Sequence, residues 1–303
     1  MIKTCFAIPL LAVSLLSPLQ AAEKFWDSPE AYLRQSRPSD TPKIFAPGML
    51  ADAGAFALGR VAFSADGREF YYSQNTSWYS DRNARMKLIR HTDGKWGQPV
   101  VINEGFVSPT LSPDGLVLYL RRANGMNNVW QSRRAGDAWS APVPFLQTAF
   151  GVYDYMPTLN GNAYVGSGPD VEDTQYGSTY VFSRLMWTNG QPSVRSLGHP
   201  PNAKGWNGDL YVAPDESFMI VSAKETKDFE SELHITFRKA DSTWTEPVSL
   251  GPKINDGPAH RWGQNVTPDG KFLFYSHGTS ERDCTIWWVR FDRLLQSLRP
   301  RAQ

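Results

Sequence analysis

The sequence predicts an all-β fold, a five-bladed β-propeller of four-stranded blades closed by an N-terminal strand. Three observations lead there. Short alternating apolar runs recur between clusters of Gly, Pro, Asn and Asp, and long helical patterns are nearly absent. A turn signature comes back along the chain as Ser64-Ala65-Asp66-Gly67, Ser112-Pro113-Asp114-Gly115, Ala213-Pro214-Asp215-Glu216 and Thr267-Pro268-Asp269-Gly270, with a degenerate copy at Leu159-Asn160-Gly161-Asn162. A second signature follows it as Trp96-Gly97-Gln98-Pro99, Trp139-Ser140-Ala141-Pro142 and Trp244-Thr245-Glu246-Pro247, with Asn189-Gly190-Gln191-Pro192 at the matching place of the third repeat.

The first signature is the chemistry of a tight hairpin. Proline presets φ, aspartate bonds its own backbone, and glycine accepts positive φ. Matching Pro157-Thr158-Leu159 to Pro109-Thr110-Leu111 places the degenerate anchor at Asn162, so the anchors 66, 114, 162, 215 and 269 stand 48, 48, 53 and 54 residues apart. An apolar strand follows each turn, at Glu69–Tyr72, Leu116–Tyr119, Ala163–Val165, Phe218–Val221 and Phe272–Tyr275. A third strand follows at Met86–Arg90, Asn128–Ser132, Thr179–Ser183, Leu233–Phe237 and Thr285–Val289. The Trp-x-x-Pro segment marks the fourth strand, since proline is tolerated on a blade's outer edge. The last repeat lacks that segment and runs into Phe291–Leu298, where a short helix is expected. Pro42–Met49 resembles Pro247–Ile254 and is expected to supply the missing outer strand, closing the ring and hiding its edges. A six-blade count is the rival reading.

The chain opens with Lys3, an apolar run from Cys5 to Leu19, and the small residues Ala21 and Ala22, the pattern of a secretory signal peptide. The expected organisation is therefore a signal peptide at 1–22, a peripheral N-terminal arm with a short helix at 23–41, the propeller at 42–292 and a tail at 293–303. Without Lys3 the chain carries 30 basic and 30 acidic residues, a balance that argues against a nucleic-acid partner. No stretch of the mature chain is apolar enough to span a bilayer, and Cys284 alone remains, so no intrachain disulfide is expected. The expected location is the periplasm or the medium.

The paired signatures Ser112-Pro113-Asp114-Gly115 and Trp139-x-x-Pro142-Val143 resemble the PD40 (WD40-like) β-propeller repeat of TolB-like periplasmic proteins, over about residues 42–292. The resemblance implies the fold and an envelope location. It leaves function open, because the group includes protein-binding scaffolds and sugar-processing enzymes. It favours a noncatalytic scaffold for a protein or an oligosaccharide of the cell envelope, with a carbohydrate-active hydrolase or lyase as the alternative.

Propeller ligands bind where inner strands and their loops meet the central channel. The segments before the first strands and after the second strands therefore supply the candidates. Tyr153, Tyr155 and Trp262 are placed to stack on sugar faces. Asp154, Asp209, Arg122, Lys224 and Arg261 are placed to take hydroxyls or carboxylates, with His277 beside them. The same charges also suit turn caps around a wet channel. Catalysis would need two carboxylates, and Glu104, Asp154 and Asp209 come from three successive blades. They stand ten, eight and six residues before their anchors, which argues against one level in the channel. The five histidines have no metal-binding spacing, and His260 and His277 are expected to approach as a hydrogen-bonded pair. No Gly-x-Ser-x-Gly elbow occurs, and no cofactor is called for. The anchor aspartates are turn formers, so function must lie in unrepeated residues.

Overall fold

The computed structural model describes residues 18–78, 83–125, 128–168, 181–202, 208–223, 230–280 and 282–299. It is a five-bladed β-propeller of antiparallel sheets. Blade 1 holds Phe56–Phe63, Glu69–Asn75 and Arg85–Thr92, with an outer strand in two pieces, Lys95–Trp96 and Val100–Glu104. Blade 2 repeats this with Phe106–Leu111, Val117–Arg122, Asn128–Ala135, and Ala138–Trp139 plus Val143–Gln147. Blade 3 holds Val152–Pro157, Ala163–Ser167, Val181–Thr188 and Gln191–Ser196. Blade 4 holds Leu210–Val212, Phe218–Ala223, Glu232–Phe237 and Val248–Ser249. Blade 5 holds His260–Val266, Phe272–Gly278 and Thr285–Arg290, with Lys43–Ile44 as its outer strand. Thr179 and Tyr180, expected at the head of a third strand, lie outside the described residues.

The hairpins form as their residues dictate. Ser112 N–H donates to Val117 O (2.8 Å), Gly115 N–H donates to Ser112 O (2.8 Å), and Asp114 Oδ1 accepts from Leu116 N–H (3.0 Å). Gly115 sits at φ 71°, which a side chain would resist. Blade 3 corrects the expected register. Thr158 N–H bonds Asn162 O, four residues on, where the other four turns close over five. Gly161 takes φ 75° and its N–H donates to Thr158 O, so Gly161 matches Gly115 and the anchor is Asn160, not Asn162.

The second signature also has a physical reason. Pro99 and Pro142 fall in the gaps of the broken outer strands of blades 1 and 2. Each tryptophan turns back towards the molecule: Trp139 Nε1 donates to Tyr71 OH of the preceding blade (3.1 Å), and Trp96 Nε1 donates to Glu30 O (2.7 Å).

Apolar layers fill the spaces between blades. Tyr71, Met86 and Leu88 of blade 1 meet Phe106, Leu118 and Leu120 of blade 2, and Val129 and Leu146 meet Val152, Val165 and Leu185 of blade 3. Burial at these seams is the main favourable term holding a propeller together. The ring closes as expected: Lys43 pairs with Trp288 and Ile44 with Trp287, and Phe45 N–H donates to Ile286 O (2.7 Å). Phe45 is buried among Phe63, Phe70, Phe274 and Trp288.

The N-terminal arm joins this core instead of lying at the periphery. Phe25, Trp26, Tyr32 and Leu33 are buried at the seam between blades 5 and 1. Trp26 Nε1 donates to Ala65 O (3.0 Å), and Tyr32 OH donates to the turn carboxylate of Asp269 (2.5 Å). The terminal helix forms over Asp292–Leu298.

Candidate functional site at the propeller axis

The inner strands of blades 1, 2, 3 and 5 each carry a β-bulge midway, between Leu58 and Ala62, Val107 and Thr110, Val152 and Tyr155, and Trp262 and Asn265. A bulge re-aims the side chains it contains. Gly263 is required at its bulge: at φ 62°, a Cβ there would stand 2.4 Å from Gly59 C and 2.6 Å from Arg60 N, so blades 5 and 1 touch backbone to backbone.

Between these bulges lies a polar cluster. Arg60 is 1% exposed; its Nη1 donates to Gln264 O (2.6 Å) and its Nη2 to Leu210 O (2.6 Å) and Asp154 Oδ2 (2.9 Å). One guanidinium therefore ties blade 1 to blades 3, 4 and 5. Asp154 Oδ2 also accepts from Leu210 N–H (2.9 Å), and Asp209 Oδ2 accepts from Gly263 N–H (2.8 Å). Gln264 Nε2 donates to Asp209 O (2.5 Å) and Ile220 O (3.0 Å). Burial pushes the Asp209 carboxyl up to about 7; the negative charge of Asp154 adds to this, and Arg60, the Gly263 N–H and Arg121 oppose it. Asp154 Oδ1 and Asp209 Oδ1 carry no hydrogen bond among the described residues.

The structure gathers some expected site residues here and disperses others. Tyr153, Asp154 and Asp209 converge at the axis, and Tyr153, Asp154 and Tyr155 wall a small pocket described below. With the anchor at Asn160, Asp154 and Asp209 both stand six residues before their anchors, so the objection from unequal offsets disappears. Tyr155 packs on Tyr119 and Phe145 with ring centroids 4.6 and 5.4 Å away, a seam contact and not an open stacking face.

Glu104 is exposed at the end of blade 1's outer strand, opposite Arg85, away from the inner strands that carry Asp154 and Asp209. Arg261 is buried and committed: its guanidinium donates to the carbonyls of Ile254, Ser231, Ala259, Asp256 and Gly257, knotting the loop before blade 5. Trp262 is 9% exposed and stacked on His260 at 4.2 Å, so it offers no sugar platform.

Arg122 is exposed and lies over Phe106 and Trp130. His277 packs on Trp287, and burial with Arg261 holds its pKa below the ordinary value. It pairs across the strands with Arg261, while His260 pairs with Gly278, so the two histidines face opposite sides of the sheet and do not form the expected pair. Lys224 lies outside the described residues.

Arg60, Gln264 and Arg121 are functional candidates that were not singled out. Arg60 had a signal, a cation after Gly59 inside the apolar run Phe56–Phe63.

The hairpin face of the channel is different in kind. There the inner-strand ends of all five blades wall an apolar funnel of about 470 Å³, with Leu111, Pro157, Leu159, Val212, Pro214 and Val266 prominent and Leu295 of the terminal helix among them. Asp215 is the one carboxylate in that wall, and its Oδ1 is tied to the N–H and hydroxyl of Ser217 (3.0 and 2.7 Å).

No protein-family model matches the chain, and no curated protein does. Among solved structures it is similar to TolB from Acinetobacter baumannii (14% identity, TM-score 0.46, covering 76% of this chain and 53% of that one). It is also similar to a glucose dehydrogenase (11%, 0.46, covering 82% and 99%) and to the periplasmic gluconolactonase of Pseudomonas aeruginosa (13%, 0.43, covering 72% and 64%). The chain spans about half the length of the Acinetobacter TolB. No helix among the described residues is long and apolar enough to cross a membrane.

Proposed function

We propose that this chain is a noncatalytic binding propeller of the bacterial cell envelope that takes an apolar segment of a partner protein into its hairpin-face funnel. The observation that carries the reading is the funnel itself, about 470 Å³ walled by Pro, Leu, Val and Ala with its one carboxylate tied to its own turn. A glycan needs donors and acceptors matched to its hydroxyls, and this wall supplies few; apolar side chains of a peptide match it. The signal-like residues 1–22 and the PD40-like turns support the envelope location.

Leu159 lines the funnel and is 66% exposed, so Leu159→Asp should fold normally. Fluorescence anisotropy with a panel of apolar peptides should find saturable binders that Leu159→Asp weakens about tenfold or more, about 1.4 kcal/mol. Equal binding by the variant, or no binder in the panel, would overturn the proposal.

A second reading, glycoside hydrolysis, is favoured by one observation: Asp209 is held protonated towards neutral pH beside ion-paired Asp154, as an acid–base pair requires. Turnover of a glycan panel that disappears in Asp209→Asn and Asp154→Asn would establish it; an inert wild-type protein would dispose of it.

A further inference from the structure

Seven residues after each turn anchor, the second strand carries Ser73, Arg121, Ser167, Ser222 and Ser276. Because blade 3's turn is one residue shorter, its strand position equivalent to Ser222 is Gly166 and not Ser167; three blades therefore place a serine at one level of the channel, blade 3 places a glycine, and blade 2 alone places an arginine. The serines are fully buried and bonded. Ser73 Oγ accepts from Ser108 N–H (3.1 Å), Ser276 Oγ donates to Gly59 O (3.1 Å), and Ser222 Oγ donates to Arg261 O (2.5 Å), each bond reaching the next blade. Ser167 Oγ bonds Ser183 Oγ within its own blade (2.8 Å).

Arg121 departs from this set of serines. Its guanidinium is half-buried and has no hydrogen bond or ion pair among the described residues, yet its charge acts on Asp209. Where a serine would have bridged blades 2 and 3 there is a pocket of about 20 Å³, walled by Ser108, Thr110, Arg121, Tyr153 and Asp154 among others. That volume takes one oxygen atom and no more.

We propose that Arg121, Asp154 and Asp209 form a binding site for a small hydroxylated carboxylate, a uronate or hydroxy acid that sets one oxygen in this pocket. Arg121 takes the carboxylate, because a guanidinium fork matches its two oxygens. Asp154 Oδ1 and Asp209 Oδ1, both without donors among the described residues, accept from neighbouring hydroxyls. A bare inorganic anion would leave those two acceptors facing it, and a cation would face both Arg60 and Arg121. The charge balance selects the same class. Arg60 and Arg121 oppose Asp154 and Asp209, so protonation of Asp209 leaves the cluster with one net positive charge.

This site is separate from the funnel, and the test keeps the two apart. Glucuronate and galacturonate are the probes, with glucose and acetate as controls, in thermal-shift and calorimetric titrations of the full chain. Either uronate should raise Tm saturably, glucose should not, acetate should bind at least about tenfold more weakly, and affinity should be higher at pH 5.5 than at pH 8. Arg121→Ser, which installs the residue that three other blades carry, should keep the wild-type Tm and lose uronate binding at least about tenfold. Leu159→Asp should leave uronate binding unchanged. The inference is overturned if neither uronate binds up to about 10 mM, ten times a weak Kd of about 1 mM, which would mean that the pocket holds water only. It is equally overturned if Arg121→Ser binds as wild type does, or if Leu159→Asp abolishes binding.

Discussion

Glu216 and Asp209 lie seven residues apart at the two ends of blade 4's inner strand, and they have opposite surroundings. Glu216 is 1% exposed. Thr158 Oγ1 (2.8 Å) and Asn162 Nδ2 (2.6 Å) donate to its Oε1, and Tyr164 OH (2.9 Å) and Arg238 donate to its Oε2. Blade 1 has the same device: Glu69 accepts from Arg90 and Tyr71 of its own blade and from Arg134 of blade 2. Among the described residues Asp209 has one donor, a backbone N–H, and another carboxylate for a neighbour. The difference lies in the number of donors. A buried carboxylate whose lone pairs are all claimed fastens one blade to the next, whereas one with an oxygen left over is available to a proton or a ligand.

Several substitutions can break or sharpen this contrast. The largest effect is expected at Arg60. Arg60→Met leaves Asp154 buried without its counter-charge and two carbonyls without donors, and should cost about 3–5 kcal/mol in urea denaturation. A loss below about 1 kcal/mol would show that the axis is well solvated and its carboxylates need no partner. Glu216→Ala should cost about 2–4 kcal/mol, somewhat less, because Arg238 keeps partial access to water.

Asp209 should act through pH. Its folded pKa of about 7 lies above the ordinary 3.8, so the native state binds more protons than the unfolded chain between those values, and stability falls as pH rises through that window. Asp209→Asn should remove that fall and stabilise the protein at pH 8 by about 1–3 kcal/mol. Glu69 has the opposite sign. Burial alone would raise its pKa, but Arg134, Tyr71 and Arg90 outweigh burial and hold it below the usual carboxylate value, so its contribution is present at neutral pH and is lost on acidification. A pH titration of Tm in Asp209→Asn should therefore keep the acid limb and lose the neutral one. The smallest stability effect is expected for Arg121→Ser, within about 1 kcal/mol either way, since the arginine has no partner among the described residues to lose.

The blades were legible because their turns are local chemistry. Pro, Asp and Gly at fixed offsets specify a hairpin wherever they occur, and Trp-x-x-Pro marks an outer edge without knowledge of its neighbour. The axis was half legible. Tyr153, Asp154 and Asp209 stand out as polar residues where the repeat has none in common. Arg121 was hidden because only three blades, through Ser73, Ser222 and Ser276, carry a serine at its level, and the shortened third turn brings Gly166 there in blade 3. Arg122, its neighbour, was preferred, although strand alternation sends the two to opposite faces. Arg261 was misjudged because the carbonyls that claim it come from a loop whose path no local pattern encodes.

Closure by Lys43–Ile44 also sets an order of events in biogenesis. The first strand pairs with Trp288, 245 residues further along, so the last seam forms only after nearly the whole chain has been made. Until then Phe25, Trp26, Tyr32 and Phe45 have no seam to enter and remain as an apolar leading segment, exposed to aggregation. Synthesis from the N-terminus thus produces the clasp first and its receptacle last. A chain that ends before Thr285 lacks the strand that receives it, so truncation near the C-terminus should release the N-terminal arm together with the last blade.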